Sequence, residues 1–359
     1  MHLSWLELRD FRSYEHLEFG PEPGLNVLIG DNGSGKTNVL EAIGYLSRLG
    51  SFRGAPDGAL VRVDAPGAVL RGGVARESGE LRVEVEIPAD GRRRILVNGK
   101  RPRRNSDVAV EVPLVAFLPD DLDMVKRGPA LRRDYLDEVA THTSPAAGGD
   151  RTEYEKIVRQ RNRLLRDEGH NADRVILAVW DERLAEVGGR LVSARVRTLE
   201  RLEPHLGIGY RAVAGTGSEQ LSARYEAWWL RPGDPADALL AALGERRRRD
   251  LDQRTTTVGP HRDDVGLYLG ERPARTHASQ GEQRSVALAL RIAAFSLLED
   301  RHGRPPVLLL DDVFSELDVS RSAGVIDLLP RGQVFVTSAR EDEVPMAGRR
   351  WRVEQGAIR

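Results

Sequence analysis

Gly30-Asp31-Asn32-Gly33-Ser34-Gly35-Lys36-Thr37 follows the short run Leu25-Asn26-Val27-Leu28-Ile29 and precedes Val39, Leu40, Ile43, Leu46 and Leu49 at helical spacing. The octet matches G-x-x-x-x-G-K-[ST]. A strand before it and a helix after it form the context in which that pattern folds as a P-loop. The glycines let backbone N–H groups curl around phosphates, and the helix start adds partial positive charge. Lys36 is expected to reach the β- and γ-phosphates of ATP, and the Thr37 hydroxyl to ligate Mg²⁺. All eight residues, Asp31, Asn32 and Ser34 included, are candidate nucleotide contacts.

A partner motif lies near the other end of the chain. Val307-Leu308-Leu309-Leu310-Asp311-Asp312 reads as a buried strand ending in two carboxylates, the Walker B pattern. Asp311 is expected to hold Mg²⁺, and Asp312 to orient the attacking water. Related ATPases usually place a Glu there; the shorter Asp points to slow turnover. Ser279-Gln280-Gly281-Glu282-Gln283 precedes a helical stretch over 283–298 and resembles the L-S-G-G-Q signature of ABC-type ATPases. The same residues also spell an ordinary capping box, Ser279 with Glu282 three positions on. The order P-loop, signature, Walker B favours the signature, with Ser279, Gln280 and Gly281 capping a γ-phosphate. Ser315-Glu316-Leu317-Asp318 resembles a D-loop, and Thr337-Ser338 ends a short apolar strand where this class carries a phosphate-sensing switch. In this class a signature completes the site of a second head, so ATP is expected to join a homodimer.

Composition sets the outer limits. The chain has 359 residues, 40% hydrophobic and 30% charged, with net charge −1, which fits a folded soluble protein rather than a disordered one. No run approaches the ~20 apolar residues of a spanning helix, and the start Met1-His2-Leu3-Ser4-Trp5 lacks the pattern of a signal peptide. Cysteine is absent, which excludes disulfides, thiolate metal sites and cysteine nucleophiles and fits a cytoplasmic location. Cations are nearly all Arg; Lys stands only at 36, 100, 126 and 156.

Residues 3–29 read as strands, and 58–117 is β-like, with Leu81, Val83, Val85 and Ile87 alternating and Asn98-Gly99 marking a hairpin turn. Near 119 the character changes. Pro129 opens a helix, 153–166 continues with one apolar face, and 173–203 follows with Gly188-Gly189 as an expected interruption. The α/β pattern returns from 255. Arg92-Arg93-Arg94 with Arg101, Arg103 and Arg104, the pair Arg132-Arg133, and the run Arg246 to Arg249 are each either a solvated face or a contact for DNA phosphates.

Taken together these motifs resemble the RecF family of bacterial recombination mediators, within the ABC/SMC-like ATPases. The resemblance covers essentially the whole chain. It includes the opening Leu8-Arg9-Asp10-Phe11-Arg12-Ser13-Tyr14, the stretch Phe117 to Leu122 with Val125 to Pro129 and Arg132-Arg133, and Val258-Gly259-Pro260-His261-Arg262-Asp263-Asp264. It implies an α/β head of the ABC/SMC-like ATPase fold made from both chain ends, 1–118 and 253–359, with a mainly helical inserted domain over 119–252. It also implies an ATP-driven dimer on gapped or junction DNA, partnership with RecR, and help in loading RecA. No Gln stands clearly for a Q-loop; Pro119-Asp120-Asp121 is nearest. His261 reads as structural or interfacial rather than catalytic. A transporter's energising subunit is disfavoured by the distance between Lys36 and Asp311, and a long-armed chromosome protein by the short helical insertion.

Overall fold

The computed structural model describes residues 1–215, 217–314, 322, 326, 332–344, 346–354 and 356–359. Among them no helix is long and apolar enough to cross a membrane. In chain order the strands are β1 (His2–Phe11), β2 (Tyr14–Phe19), β3 (Leu25–Ile29), β4 (Gly67–Arg76), β5 (Gly79–Pro88), β6 (Arg94–Val97), β7 (Leu114–Phe117), β8 (Leu221–Glu226), β9 (Asp264–Leu269), β10 (Arg272–Pro273), β11 (Val307–Asp311), β12 (Val334–Ser338), β13 (Arg349–Glu354) and β14 (Ala357–Ile358). Two compact units result. The first is 1–122 with 205–218 and 284–359; the second is 123–204 with 219–283. The divisions expected at 118/119 and 252/253 differ from these in 205–218, which falls with the first unit, and at the second crossing. There β9 pairs antiparallel with β8 from Leu221↔Leu269 to Glu226↔Asp264, and that pairing keeps 264–269 with the helical segment.

The first unit holds two sheets. One has the order β14-β13-β3-β12-β11-β7, parallel except at the β14 edge. Its inner strands read as continuous apolar runs because both faces are covered; all five residues of β11 are buried. The other is antiparallel, β2-β1-β4-β5-β6, and turns Leu81, Val83, Val85 and Ile87 inward. The helix Lys36–Arg48 buries Val39, Leu40, Ala42, Ile43, Tyr45 and Leu46 in a core shared by both sheets. Asn98 and Gly99 adopt φ of 50° and 75°, and Val97 and Lys100 exchange backbone hydrogen bonds at 2.7 and 3.0 Å. The expected turn is therefore present, closed by a single bridge rather than a second strand.

The second unit is mainly helical: Pro129–Thr143, Pro145–Glu168, the greater part of Arg174–Ala214, and Pro235–Gln253, beside the small sheet β10-β9-β8. Gly188-Gly189 does not interrupt the helix Arg174–Ala214. These glycines instead permit close packing. A Cβ on Gly188 would stand 2.5 Å from Leu239 Cδ2, and one on Gly189 would stand 2.6 Å from the Ala236 backbone nitrogen. Their cost in helix propensity, about 1 kcal/mol each, is offset by the approach of the 235–253 helix.

The segment 258–264 forms a buried polar lock in this unit. The Asp263 carboxylate accepts from Trp229 Nε1 and Tyr225 OH, both at 2.8 Å. Asp264 accepts two bonds from Arg132, and the Pro260 carbonyl accepts from Arg195 at 2.7 Å. His261 accepts from Tyr154 OH at 2.8 Å and donates to the Thr256 carbonyl at 3.1 Å. Burial pushes its imidazole down to about 4, so it is neutral near pH 7. This is a structural role.

Burial also lifts the Asp263 carboxyl to about 6, although Trp229, Tyr225 and the nearby arginines pull it back. A carboxyl raised in the folded state holds its proton there after the unfolded chain has lost it. Its contribution to stability therefore falls as pH rises from about 4 to 6. Asp263→Asn removes that penalty. Relative to the parent, the variant is expected to gain about 2 kcal/mol between pH 4 and pH 6.5. Paired urea melts at the two pH values check it; an unchanged difference between variant and parent contradicts the raised carboxyl.

Candidate nucleotide-binding site

The loop 30–37 lies between β3 and the helix Lys36–Arg48, at the carboxyl edge of the parallel sheet. Open α/β sheets bind ligands at that edge. Gly33 and Gly35 take φ of 83° and 109°, left-handed values that suit glycine. Gly35 is also the helix N-cap. No side chain caps this helix start, and its first turn has no acidic residue. An anion is therefore the natural partner for its N–H groups. The buried Ser34 Oγ has no hydrogen-bond partner among the described residues, and phosphate oxygens would supply one.

Lys36 is 8% exposed. Its ammonium folds over the loop and donates to the carbonyls of Gly30 (2.6 Å) and Asp31 (2.9 Å). Burial pulls its pKa down, opposed by the charges of Asp312, Asp311, Asp31 and Glu343. A buried cation with only carbonyl partners and carboxylates at longer range is well placed for an incoming polyphosphate.

Walker B converges on the same place. The Thr37 and Thr337 hydroxyls both donate to Asp311 Oδ1, at 2.9 and 2.7 Å. Parallel pairing of β11 with β12 sets Asp311 beside Thr337, and pairing of β12 with β3 sets Thr337 beside Leu28. Burial raises the Asp311 carboxyl, the two hydroxyls lower it, and neighbouring Asp312 raises it again. Asp312 follows in a left-handed conformation, φ 52°, which Asp tolerates better than most residues. Its backbone N–H donates to Thr337 Oγ1 at 2.9 Å. Thr337 thus braces both carboxylate residues, a role that strand-end position alone did not indicate.

The donor chemistry fits Mg²⁺. Thr37 and Asp311 offer hard oxygens, and no group of three or more His, Cys, Asp or Glu side chains competes among the described residues. Mg²⁺ binds through one or two protein oxygens, with phosphates and water completing its shell.

Several neighbours escaped sequence reading. Tyr14 OH donates to the Gly35 carbonyl at 3.2 Å, and Arg12 forms a two-bond pair with buried Glu41. The Phe11-Arg12-Ser13-Tyr14 opening was their one signal. Asp121, in the stretch nearest to where a Q-loop Gln would stand, is buried against Arg291. Pro119 and Asp121 line a small cleft of about 50 Å³ that also touches Asp312.

Ser279, Gln280 and Gly281 lie in the second unit. The helix spans Gln280–His302, so two of the three are inside its first turn. Ser279 N donates to Glu282 Oε2 at 2.7 Å, and Glu282 N donates to Ser279 Oγ at 3.3 Å. The capping box is therefore formed. It holds the helix start in place and is compatible with a second role for the Ser279 hydroxyl. The D-loop candidates Ser315 to Asp318 lie outside the described residues.

The basic clusters divide. Arg132 is buried on Asp264 and on the Met124 and Arg127 carbonyls, and Arg133 donates to the Asp263 carbonyl, so this pair is structural. Arg93 pairs with Asp57 and Arg94 with Glu86. Arg92, Arg101, Arg103 and Arg104 are exposed.

The RecF/RecN/SMC N terminal domain model matches residues 2–357. A DNA replication and repair protein RecF from Renibacterium salmoninarum is 39% identical, with 98% of each chain covered. One of the same name from Kineococcus radiotolerans is 42% identical over 97% of this chain and 95% of its own. A solved structure of the recombination mediator protein RecF-ATP in the RecFOR pathway is similar at TM-score 0.92 and 30% identity, covering 100% of this chain and 97% of that one. An Smc head bound to the C-terminal winged-helix domain of ScpA shares the fold, at TM-score 0.57 and 19% identity.

Proposed function

This chain belongs to the RecF family of the RecF/RecN/SMC group, and on that premise we propose that it is an ATP-dependent DNA-binding protein of recombinational repair and replication restart. The reading rests above all on one meeting of groups. An uncapped glycine-lined helix start, the Lys36 ammonium and the Thr37–Asp311–Thr337 cluster converge at one sheet edge. That edge suits the triphosphate of ATP, with Gly30 to Thr37 as its cradle. Thr37 and Asp311 would hold Mg²⁺, which supplies charge neutralisation at the β- and γ-phosphates. Asp312 would orient water and accept its proton. Thr337 would hold the two carboxylate residues in register.

Ser279, Gln280 and Gly281 would complete the site of a second copy. ATP would then act between two heads, closing a homodimer on DNA at gaps or junctions, and slow, DNA-stimulated hydrolysis would reopen it. The functional head is read as 1–118 with 253–359, carrying P-loop, signature, Walker B and D-loop, and 119–252 as the insert. The RecFOR pathway of the solved relative supports RecR as partner and, through it, help in loading RecA.

Ser279→Arg tests the shared site. Loss of the cap costs the helix about 1 kcal/mol, too little to unfold the chain. The monomer should bind ATP as the parent does and fail to dimerise. Sedimentation with ATP reads the outcome, and a variant that dimerises normally removes Ser279 from the shared site.

A further inference from the structure

Adjacent tryptophans in the second unit face opposite environments. Trp229 is 1% exposed and donates to Asp263. Trp228, just beyond β8, is 53% exposed. The Arg246 guanidinium lies 4.5 Å from the Trp228 ring centroid. Arg246 begins the run 246–249 on the helix Pro235–Gln253.

That run is not uniform. Arg247 turns to Asp181 at 2.9 Å. Arg248 and Arg249 are exposed, with no side-chain hydrogen bond or ion pair among the described residues. Arg249 lies three positions after Arg246, so the two share a helix face. The nearby carboxylates are largely engaged. Asp181 is held by Arg161 and Arg247, Asp250 by Arg161 and Thr257, and Asp252 pairs with His170. Glu245 alone on that turn is left against three arginines. A half-exposed indole thus sits beside surplus positive charge.

We propose that Trp228, with Arg246 and Arg249, is a stacking platform for single-stranded DNA. The Arg246 guanidinium covers one face of the indole; an unpaired base would displace it to lie on the ring, and the arginines would meet the adjoining phosphates. Stacking is tolerant of sequence because every base has a π-face. Paired bases within a duplex cannot reach such a ring without leaving their stack. The platform therefore reads strand state, and it would tell the single-stranded side of a gap from continuous duplex. It rests on the DNA-binding reading above and deepens it.

The test is equilibrium binding, with ATP and Mg²⁺, to a labelled duplex and to the same duplex carrying a single-stranded oligo-dT gap. Trp228→Ala should weaken the gapped DNA about tenfold and leave the duplex unchanged. Trp228→Phe should restore most of the loss. Arg249→Ser should flatten the salt dependence on gapped DNA. If Trp228→Ala holds the gap as the parent does, or loses both DNAs in the same ratio, this inference alone is overturned. A parent protein that binds neither DNA with ATP overturns the wider DNA reading and the platform with it.

Discussion

Lys36→Met is expected to lose ATP affinity by about 100-fold or more, since two charge-assisted phosphate contacts of the usual strength sum to about 3 kcal/mol or more. The fold should survive. Met has a similar stem, and the bonds lost are those of the ammonium to the Gly30 and Asp31 carbonyls. Those carbonyls lie on a loop that water can reach. Removing the cation also takes away a positive charge that Asp312, Asp311, Asp31 and Glu343 act on, so a polyphosphate would meet a more negative site. ATP-driven dimerisation and ATP-dependent DNA binding should fail together. Isothermal titration with ATP, alongside a thermal melt to verify folding, decides the matter. A folded Lys36→Met protein with parental affinity would sink the P-loop assignment.

Asp312→Asn should have the opposite signature: ATP and Mg²⁺ stay bound, and hydrolysis falls by about 100-fold or more, the usual contribution of a positioned general base. Asn is the right probe for a local reason. Asp312 occupies a left-handed conformation with φ 52°, and Asn enters that region as readily as Asp. The backbone N–H that donates to Thr337 Oγ1 is unchanged. What is lost is the carboxylate's charge and its ability to take a proton. The ATP-joined dimer should accumulate and remain on DNA. Single-turnover hydrolysis and sedimentation should move in opposite directions, and hydrolysis at the parental rate excludes Asp312 as the catalytic carboxylate.

The two variants are read most clearly together. One blocks formation of the closed state and the other blocks exit from it. Thr337 ties Asp311 to Asp312, because its hydroxyl donates to Asp311 while accepting from the Asp312 backbone.

The sequence by itself determined the elements of the proposed nucleotide site. Strand, glycine loop and helix are consecutive in Leu25 to Arg48, and the Asp311-Asp312 pair ends a continuous apolar run. Such patterns are local: side-chain period and left-handed glycine positions reside in neighbouring residues, and no distant contact is needed to write them. The Asn98-Gly99 turn was legible for the same reason. What only the tertiary structure decided involves segments far apart in the chain. Thr337 reaches Asp311 because β12 enters the sheet between β3 and β11. Gly188-Gly189 looked like a helix break, and became a packing surface once the 235–253 helix approached it. Arg132 and Arg247 looked equivalent to their neighbours in basic runs, but Asp264 holds Arg132 buried and Asp181 pairs with Arg247. Trp228 and Trp229 are adjacent and chemically identical, yet one is in water and the other donates to Asp263. In each case burial and pairing across the chain assign the role, and a linear pattern carries no record of which distant group will arrive.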